Sequence, residues 1–130
     1  MIYTTYFANL KNLSKDIIPV SICGKAPEWY NGIQYKKLAP KYSFFSEWKK
    51  NKDNEYYIRH FKEEVLDQLN VVKVLWEIHD LLPVNPPVKH IALVCYEKPE
   101  DFCHRHLVAE WLKQNGFQCE EFRVSQKGEK

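Results

Sequence analysis

Residues 89–116 read KHIALVCYEKPEDFCHRHLVAEWLKQNG and contain the clearest strand-to-helix transition in the chain. The nearly continuous apolar run over residues 89–97 predicts a strand that is buried on both faces. Residues 103–116 then place apolar side chains along one helical stripe, and the glycine at 116 suits the end of a helix. In an open α/β sheet such a turn lies at the carboxyl edge of the strands, where ligands usually bind.

The turn between this strand and this helix concentrates reactive side chains. A carboxylate, a thiol, an imidazole and a guanidinium fall within nine positions, as Glu97, Cys103, His104 and Arg105. Asp101 is a reasonable N-cap, which would place Cys103 and His104 in the first helical turn. The location therefore predicts a functional site, whereas the reaction is not evident from these residues.

The remaining elements follow from hydrophobic periodicity and from breaker residues. Pro19 removes a ladder hydrogen bond, so its strand should lie at a sheet edge or begin after the proline. Residues 25–40 contain Pro27, Gly32 and Pro40 and are predicted to be mostly loop. Further strands are predicted over residues 2–7, 16–23 and 117–124, helices over 43–50, 54–69 and 71–82, and a frayed polar tail over 125–130.

The order strand, strand, helices, strand, helix, strand favours a three-layer α/β sandwich. Its small, mainly parallel sheet would have about four strands flanked by helices, and right-handed crossovers suggest the order 2-1-3-4. The carboxyl ends of the first three strands would then converge near Tyr6, Lys25 and Glu97. A length of 130 residues fits one domain spanning the whole chain.

Composition narrows the class of protein. Apolar residues make up 45% of the chain and charged residues 28%, which is ordinary for a soluble protein. No apolar run approaches the roughly 20 residues that span a bilayer, so we expect no membrane association. The first residues lack the basic start and apolar core of a secretion signal, which predicts a cytoplasmic protein.

The four cysteines are interpreted as free thiols. None belongs to a C-x-x-C pair, three lie in apolar strand segments, and cytosolic disulfides are rare. Cys95, Cys103, His104 and Cys119 also lack the paired spacing of zinc ligands, so the sequence predicts no metal site. No cofactor-binding motif is present, and we expect no cofactor.

Positive charge is concentrated in the middle of the chain, although the net charge is only +2. A solvated helix face explains this cluster better than a phosphate-binding surface does, and both interpretations stay open. The cluster comprises Lys36, Lys37, Lys41, Lys49, Lys50 and Lys52.

Arg105 has two interpretations. Its planar guanidinium at a helix N-terminus suits a phosphate or a carboxylate ligand, and the amide dipoles there add about 0.3–1 kcal/mol per charge. Alternatively, Arg105 pairs with Glu97 or Glu100 and only locks the turn. The residue types do not separate the two interpretations.

Cys103, His104 and Glu97 are the candidate catalytic groups. Cys103 could be a thiolate nucleophile with His104 as its base, or it could simply cap the helix; side chains of adjacent helical residues point about 100° apart. Glu97 leaves a buried strand at the rim, where partial desolvation would suit acid/base chemistry. Lys25, Lys41 and Tyr6 are outer candidates for ligand binding.

Several segments resemble the family named "domain of unknown function 488". The spacing from Glu97 to Cys103-His104-Arg105 is the most specific of them, and the resemblance covers nearly the whole chain. It implies a compact α/β fold with a pocket at these four residues, and it implies no particular activity. The similar segments are residues 94–99, 102–107, 20–22, 38–40 and 56–66.

Taken together, the sequence predicts a small phosphate-bearing ligand, such as a nucleotide or a phosphate group of nucleic acid, at this pocket. Arg105 would hold the anion, and the protein could be an enzyme acting on nucleotides or nucleic acid. The competing interpretation is a non-catalytic or nucleic-acid-binding module whose polar turn is a structural lock. A third interpretation, a redox thiol protein, predicts that Cys103 is more reactive than the other cysteines. The oligomeric state is not evident from the sequence.

Overall fold

The structure is a computed structural model that describes residues 1–85 and 88–123. Its strands are β1 (Ile2–Tyr6), β2 (Ile17–Ser21), β3 (Ile33–Gln34), β4 (His90–Cys95) and β5 (Cys119–Glu121). Its helices are α1 (Tyr42–Asn51), α2 (Asn54–Glu64), α3 (Val71–Leu81) and α4 (His104–Gln114). Short 3₁₀ helices cover Phe7–Asn12, Lys36–Leu38 and Leu66–Gln68. The predicted tail over 125–130 lies outside the described residues.

The five strands form one parallel sheet in the order β3-β2-β4-β1-β5. The predicted α/β class, with a small parallel sheet flanked by helices, is confirmed. The predicted strand order is wrong, because β4 lies between β2 and β1 and not on the far side of β1. Its residues from Ala92 to Cys95 are all buried, so the most apolar strand occupies the centre of the sheet.

β3 adds a strand that the sequence did not predict. Only two of its residues pair, Ile33 with Val20 and Gln34 with Ser21. A two-residue strand is too short to show an alternating pattern, which explains why this segment looked like loop. The prediction that the Pro19 strand lies at a sheet edge or begins after the proline is wrong, because β2 begins at Ile17 and β3 lies outside it. Pairing with β3 begins only at Val20, so Pro19 itself has a neighbouring strand on one side, which its missing donor allows.

Both faces of the sheet are covered. Leu93 belongs to a large hydrophobic cluster that includes buried residues of all four α-helices. Its neighbour Val94 points the other way, into a smaller cluster with Phe7 from the first 3₁₀ helix. Over the same face, Asn9 of that 3₁₀ helix donates to the Thr5 hydroxyl at 3.1 Å. The sheet is therefore the middle layer of the fold.

The predicted helices are present, with differences at two ends. α2 ends at Glu64 and the chain continues as a 3₁₀ turn, whereas the sequence predicted one helix up to residue 69. α4 begins at His104, and the extended residue Cys103 occupies the N-cap position in place of the predicted Asp101. The amide of Asp101 instead donates to the carbonyl of Lys98 within the preceding turn.

No helix of the described residues is both long enough and apolar enough to cross a bilayer.

Candidate functional site

A cavity of about 470 Å³ lies where the loops after β2 and β4 meet the first two helices. Its volume falls within the range of small-molecule sites, roughly 300–1,000 Å³. The cavity is lined by Cys23, Gly24, Lys25, Pro40, Tyr42, Phe45, Trp48, Tyr57, Cys95, Tyr96, Glu97, Phe102, Cys103 and His104. It thus lies at the predicted carboxyl edge of the sheet.

Aromatic side chains form much of the cavity wall and hold one another in place. The Trp48 and Phe102 rings lie with centroids 5.4 Å apart, and Tyr57 meets Phe102 edge to face at 5.0 Å. Phe45 stacks against Trp48 at 6.3 Å. These spacings are those of attractive aromatic pairs. Phe45, Trp48, Tyr57 and Phe102 therefore form a well-packed side of the cavity, which we call the aromatic wall. Sequence reasoning did not single out these rings, because their helical spacing is equally typical of core packing.

Cys95, Cys103 and His104 line one side of the cavity, which we call the inner wall. It contains a disulfide between Cys95 and Cys103. The expectation that all four cysteines are free is therefore wrong for this pair, while Cys23 and Cys119 are buried free thiols. The turn between β4 and α4 folds back on itself, so that the strand end and the helix start converge. A separation of eight residues without a C-x-x-C motif gave no sign of this pairing in the sequence.

His104 is held in one orientation by the backbone of the neighbouring loop. Its Nε2 lies 2.7 Å from the carbonyl oxygen of Ile22, which can only accept a hydrogen bond. Nε2 therefore carries the proton and donates, which leaves Nδ1 with a free lone pair. Burial lowers the pKa of His104 to about 4, with the positive charge of Arg105 as a smaller contribution, so the ring is neutral near pH 7.

Cys103 and His104 are in contact, despite being neighbours in sequence. The Cys103 sulfur lies 4.0 Å from Nδ1 of His104. The geometric objection from helix periodicity does not apply, because Cys103 has extended torsion angles (φ −156°, ψ 144°) and precedes the first helical residue. The unprotonated imidazole nitrogen thus faces the sulfur.

Arg105 is fully buried, at 0% relative exposure, and does not line the cavity. Its Nε and Nη2 donate to the two carboxylate oxygens of Glu121 at 3.1 and 2.9 Å. Its Nη1 donates to the carbonyl oxygen of Glu97 at 2.6 Å and reaches the Cys95 sulfur at 3.2 Å. The ring of Tyr6 lies 5.7 Å from the guanidinium carbon. This placement favours the structural lock over the predicted anion holder, although the carboxylate that pairs with Arg105 is that of Glu121 and not that of Glu97 or Glu100.

The other predicted site residues separate into two groups. Glu97 and Lys25 are exposed and line the cavity, so they lie at its mouth. The exposure of Glu97 removes the partial burial on which its acid/base role was argued. Tyr6 packs on Arg105, and Lys41 is exposed between two lining residues; neither of the two lines the cavity.

Glu121 is a structurally important residue that sequence reasoning missed. Its Oε1 accepts from the Thr4 hydroxyl at 2.8 Å as well as from Arg105. A carboxylate in a short C-terminal strand carries no signal of such a role, because a polar residue is ordinary on an exposed strand face.

The ligating atoms of Cys95, Cys103 and His104 all lie within 4.8 Å of one another. The sequence argument against a metal was based on spacing along the chain, and the fold brings these residues together regardless of that spacing.

These features define a parallel α/β protein with an aromatic-walled cavity at the carboxyl edge of its sheet and a cysteine–histidine cluster on the inner wall. Residues 6–116 match the family DUF488-N3a, described as the active DUF488-N3 subclade. The chain belongs to this family, which confirms the resemblance to domain of unknown function 488. No curated protein and no solved structure gives a significant match to the chain.

Proposed function

We propose that the protein binds a nucleotide, with the base held by the aromatic wall and the phosphate directed to the mouth of the cavity. The observation that carries this proposal is the combination of the neighbouring Trp48 and Phe102 rings, 5.4 Å apart, with a cationic side chain, Lys25, at the mouth. Flat heteroaromatic bases stack on such rings, at about 1–3 kcal/mol per base. A cavity for phosphate alone would expose polar donors in place of rings.

The groups that would act on a bound nucleotide are Cys103 and His104 on the inner wall, and Glu97 at the mouth would accept a hydrogen bond from a ribose hydroxyl. The neutral imidazole with its lone pair on Nδ1 supports a role in accepting a proton or binding an electrophile. Arg105 is not available to bind a ligand, because all of its side-chain nitrogens are occupied by Glu121, Cys95 and the backbone of Glu97.

We further propose a cytosolic setting. The buried free thiols Cys23 and Cys119 are typical of proteins from reducing compartments, and such a compartment would also keep Cys95 and Cys103 reduced.

The test is a thermal-shift and calorimetric titration with nucleoside monophosphates, the parent nucleosides, ribose 5-phosphate and inorganic phosphate. We expect saturable binding of the monophosphates and no binding of inorganic phosphate alone. Trp48→Leu should weaken binding roughly 5- to 150-fold, the equivalent of one lost stacking contact.

The matched control is Trp76→Leu, since Trp76 is 62% exposed on α3 and does not line the cavity. It should bind as the wild type does. Equal binding by the Trp48→Leu variant, with its fold verified by circular dichroism, would contradict the proposal, as would the absence of any saturable nucleotide shift.

A second candidate, a non-catalytic nucleic-acid-binding module, is favoured by the lysines on α1 and just after it. Lys49 and Lys52 lie over the rings of Phe45 and Trp48, at 5.5 and 4.1 Å, so positive charge adjoins the aromatic wall. Binding of a single-stranded oligonucleotide through these lysines should weaken steeply as salt rises. Binding of a free nucleotide in the cavity should depend on salt far less, which separates the two candidates.

A further inference from the structure

Three soft or borderline ligand atoms meet on the inner wall of the cavity. The atoms are Sγ of Cys95, Sγ of Cys103 and Nδ1 of His104, all within 4.8 Å of one another and all on buried residues. In a tetrahedral zinc site with Zn–S bonds near 2.3 Å and Zn–N bonds near 2.0 Å, neighbouring ligand atoms lie roughly 3.5–3.8 Å apart. The 4.0 Å between the Cys103 sulfur and Nδ1 is close to that spacing. After reduction of the disulfide, small side-chain movements would bring the three ligand atoms to the spacing of a tetrahedral zinc site.

The histidine is already oriented as a metal ligand. Histidines that bind zinc usually donate their other ring N–H to a carboxylate or a backbone carbonyl, which fixes the tautomer. His104 does this through Nε2 to the carbonyl of Ile22 at 2.7 Å. The nitrogen that faces the two sulfurs therefore carries the lone pair.

The surroundings would also stabilise the two thiolates that a metal requires. Nη1 of Arg105 lies 3.2 Å from the Cys95 sulfur and can donate to a thiolate there. Cys103 occupies the N-cap of α4, where the helix amides present partial positive charge. Each sulfur thus has its own source of positive potential in addition to the metal.

We propose that the reduced protein binds a zinc ion through Cys95, Cys103 and His104, with the fourth position open to the cavity. Two sulfurs and one imidazole nitrogen suit zinc, and three protein ligands beside an open cavity are typical of catalytic rather than structural zinc sites. This inference does not depend on the nucleotide proposal, because the three ligand atoms come from the protein alone.

The bound metal requires the dithiol form of the protein. A phosphine reagent breaks the S–S bond and is oxidised to the phosphine oxide with oxygen from water, which leaves two thiols on the protein. Zinc then replaces the two thiol protons, which are released to the solvent, and forms two Zn–S bonds and one Zn–N bond. A two-electron oxidant such as hydrogen peroxide, which is reduced to water, would re-form the S–S bond and expel the ion.

The experiment is metal analysis of the full-length protein without any nucleotide. Protein reduced with a phosphine is incubated with zinc chloride, freed of excess metal by gel filtration, and measured by mass spectrometry of the metal. We expect about one zinc per reduced chain, and a raised melting temperature on zinc addition. Cobalt chloride in place of zinc should give the intense visible absorption of a tetrahedral thiolate complex.

Two controls make the result specific. Oxidised wild-type protein has the same sequence but no available Cys95 or Cys103 thiolate, so it should retain no zinc. This control does not depend on whether the cysteine variants fold. Cys119→Ser removes a buried thiol that is not in the cluster and should retain zinc, whereas Cys103→Ser should lose it. Equal zinc in oxidised and reduced protein, or in Cys103→Ser and wild type, would overturn the proposal.

Discussion

Arg105 is a single buried charge that organises a turn without lining the cavity. Its guanidinium joins the carboxylate of Glu121 in β5 to the carbonyl of Glu97 just after β4. Burying an ion pair has a large desolvation cost, and only good geometry with additional hydrogen bonds offsets it. The bidentate contact and the third donor provide both, so Arg105 fixes the turn that carries the cavity residues.

We predict that Arg105→Met destabilises the protein by about 3–5 kcal/mol, because it leaves the nearly buried Glu121 carboxylate without its partner. The measurement is the free energy of unfolding from urea titration followed by circular dichroism. Arg59→Met is the control, since Arg59 is exposed on α2 and should change stability by less than about 0.5 kcal/mol. Adding Glu121→Gln to Arg105→Met should recover part of the loss; an unchanged urea midpoint for Arg105→Met would refute the assigned role.

The free thiol of Cys119 should be unreactive at neutral pH. Burial raises its pKa to about 11, so the thiolate is scarce in the folded protein. Alkylation by iodoacetamide, mapped by mass spectrometry, should be slow at pH 7.5 and should accelerate as pH rises towards 11. In urea the same thiol should react quickly, because its pKa returns to about 8.5.

The same pKa shift has a consequence for stability. The folded state holds the Cys119 proton more tightly than the unfolded state, so this contribution is complete below the ordinary thiol pKa and is lost as pH rises through about 11. Rapid alkylation of Cys119 in the folded protein at pH 7.5 would show that the thiol is not protected in this way.

Among the secondary-structure elements, hydrophobic periodicity predicted the bounds of the helices more accurately than the number and order of the strands. α1 and α3 begin and end within one residue of their predicted bounds, because their apolar stripes and flanking breakers act locally. The neighbours of a strand depend on contacts distant in sequence, and handedness alone allowed an order in which β1 and β4 exchange places. β3 was not predicted because two residues are too few to show an alternating pattern.

The start of α2 gives a testable prediction for the aromatic wall. The Asp53 side chain accepts from the backbone N–H of Tyr56 at 3.2 Å, and the helix it caps carries Tyr57 into the cavity. Asp53→Ala should therefore reduce stability by about 1 kcal/mol in a urea titration. Asp80→Ala, at an exposed position near the end of α3, should have almost no effect, and equal effects of the two substitutions would argue against the cap.

In the molecule as a whole, the sequence predicted the position of the cavity but not the partners of the residues around it. The strand-to-helix turn was predicted because apolar and polar runs mark it locally, and Glu97, Cys103 and His104 do line the cavity. The role of Arg105 could not be decided, because its partner Glu121 is 16 residues away and carries no pattern. The pairing of Cys95 with Cys103 and the aromatic wall likewise depend on how separate elements meet, which residue spacing does not encode.

β5 connects β1, α4 and the turn after β4, although it lies beyond the family match over residues 6–116. Glu121 in β5 holds Thr4 of β1 and Arg105 of α4, and through Arg105 it reaches the turn after β4. A chain truncated after Gly116 should therefore lose cooperative unfolding, because the buried guanidinium would have no carboxylate and β1 would become an edge.

A chain that ends at Arg123 is the control for this truncation. It keeps β5 and every contact described, and it should unfold cooperatively near the wild-type urea midpoint. If the chain ending at Gly116 also unfolded cooperatively at that midpoint, Glu121 would not be the residue that holds the turn. The position of the turn would then depend on the aromatic wall and on the link between Cys95 and Cys103. The two truncations thus distinguish a site supported from β5 from a site supported by its own walls.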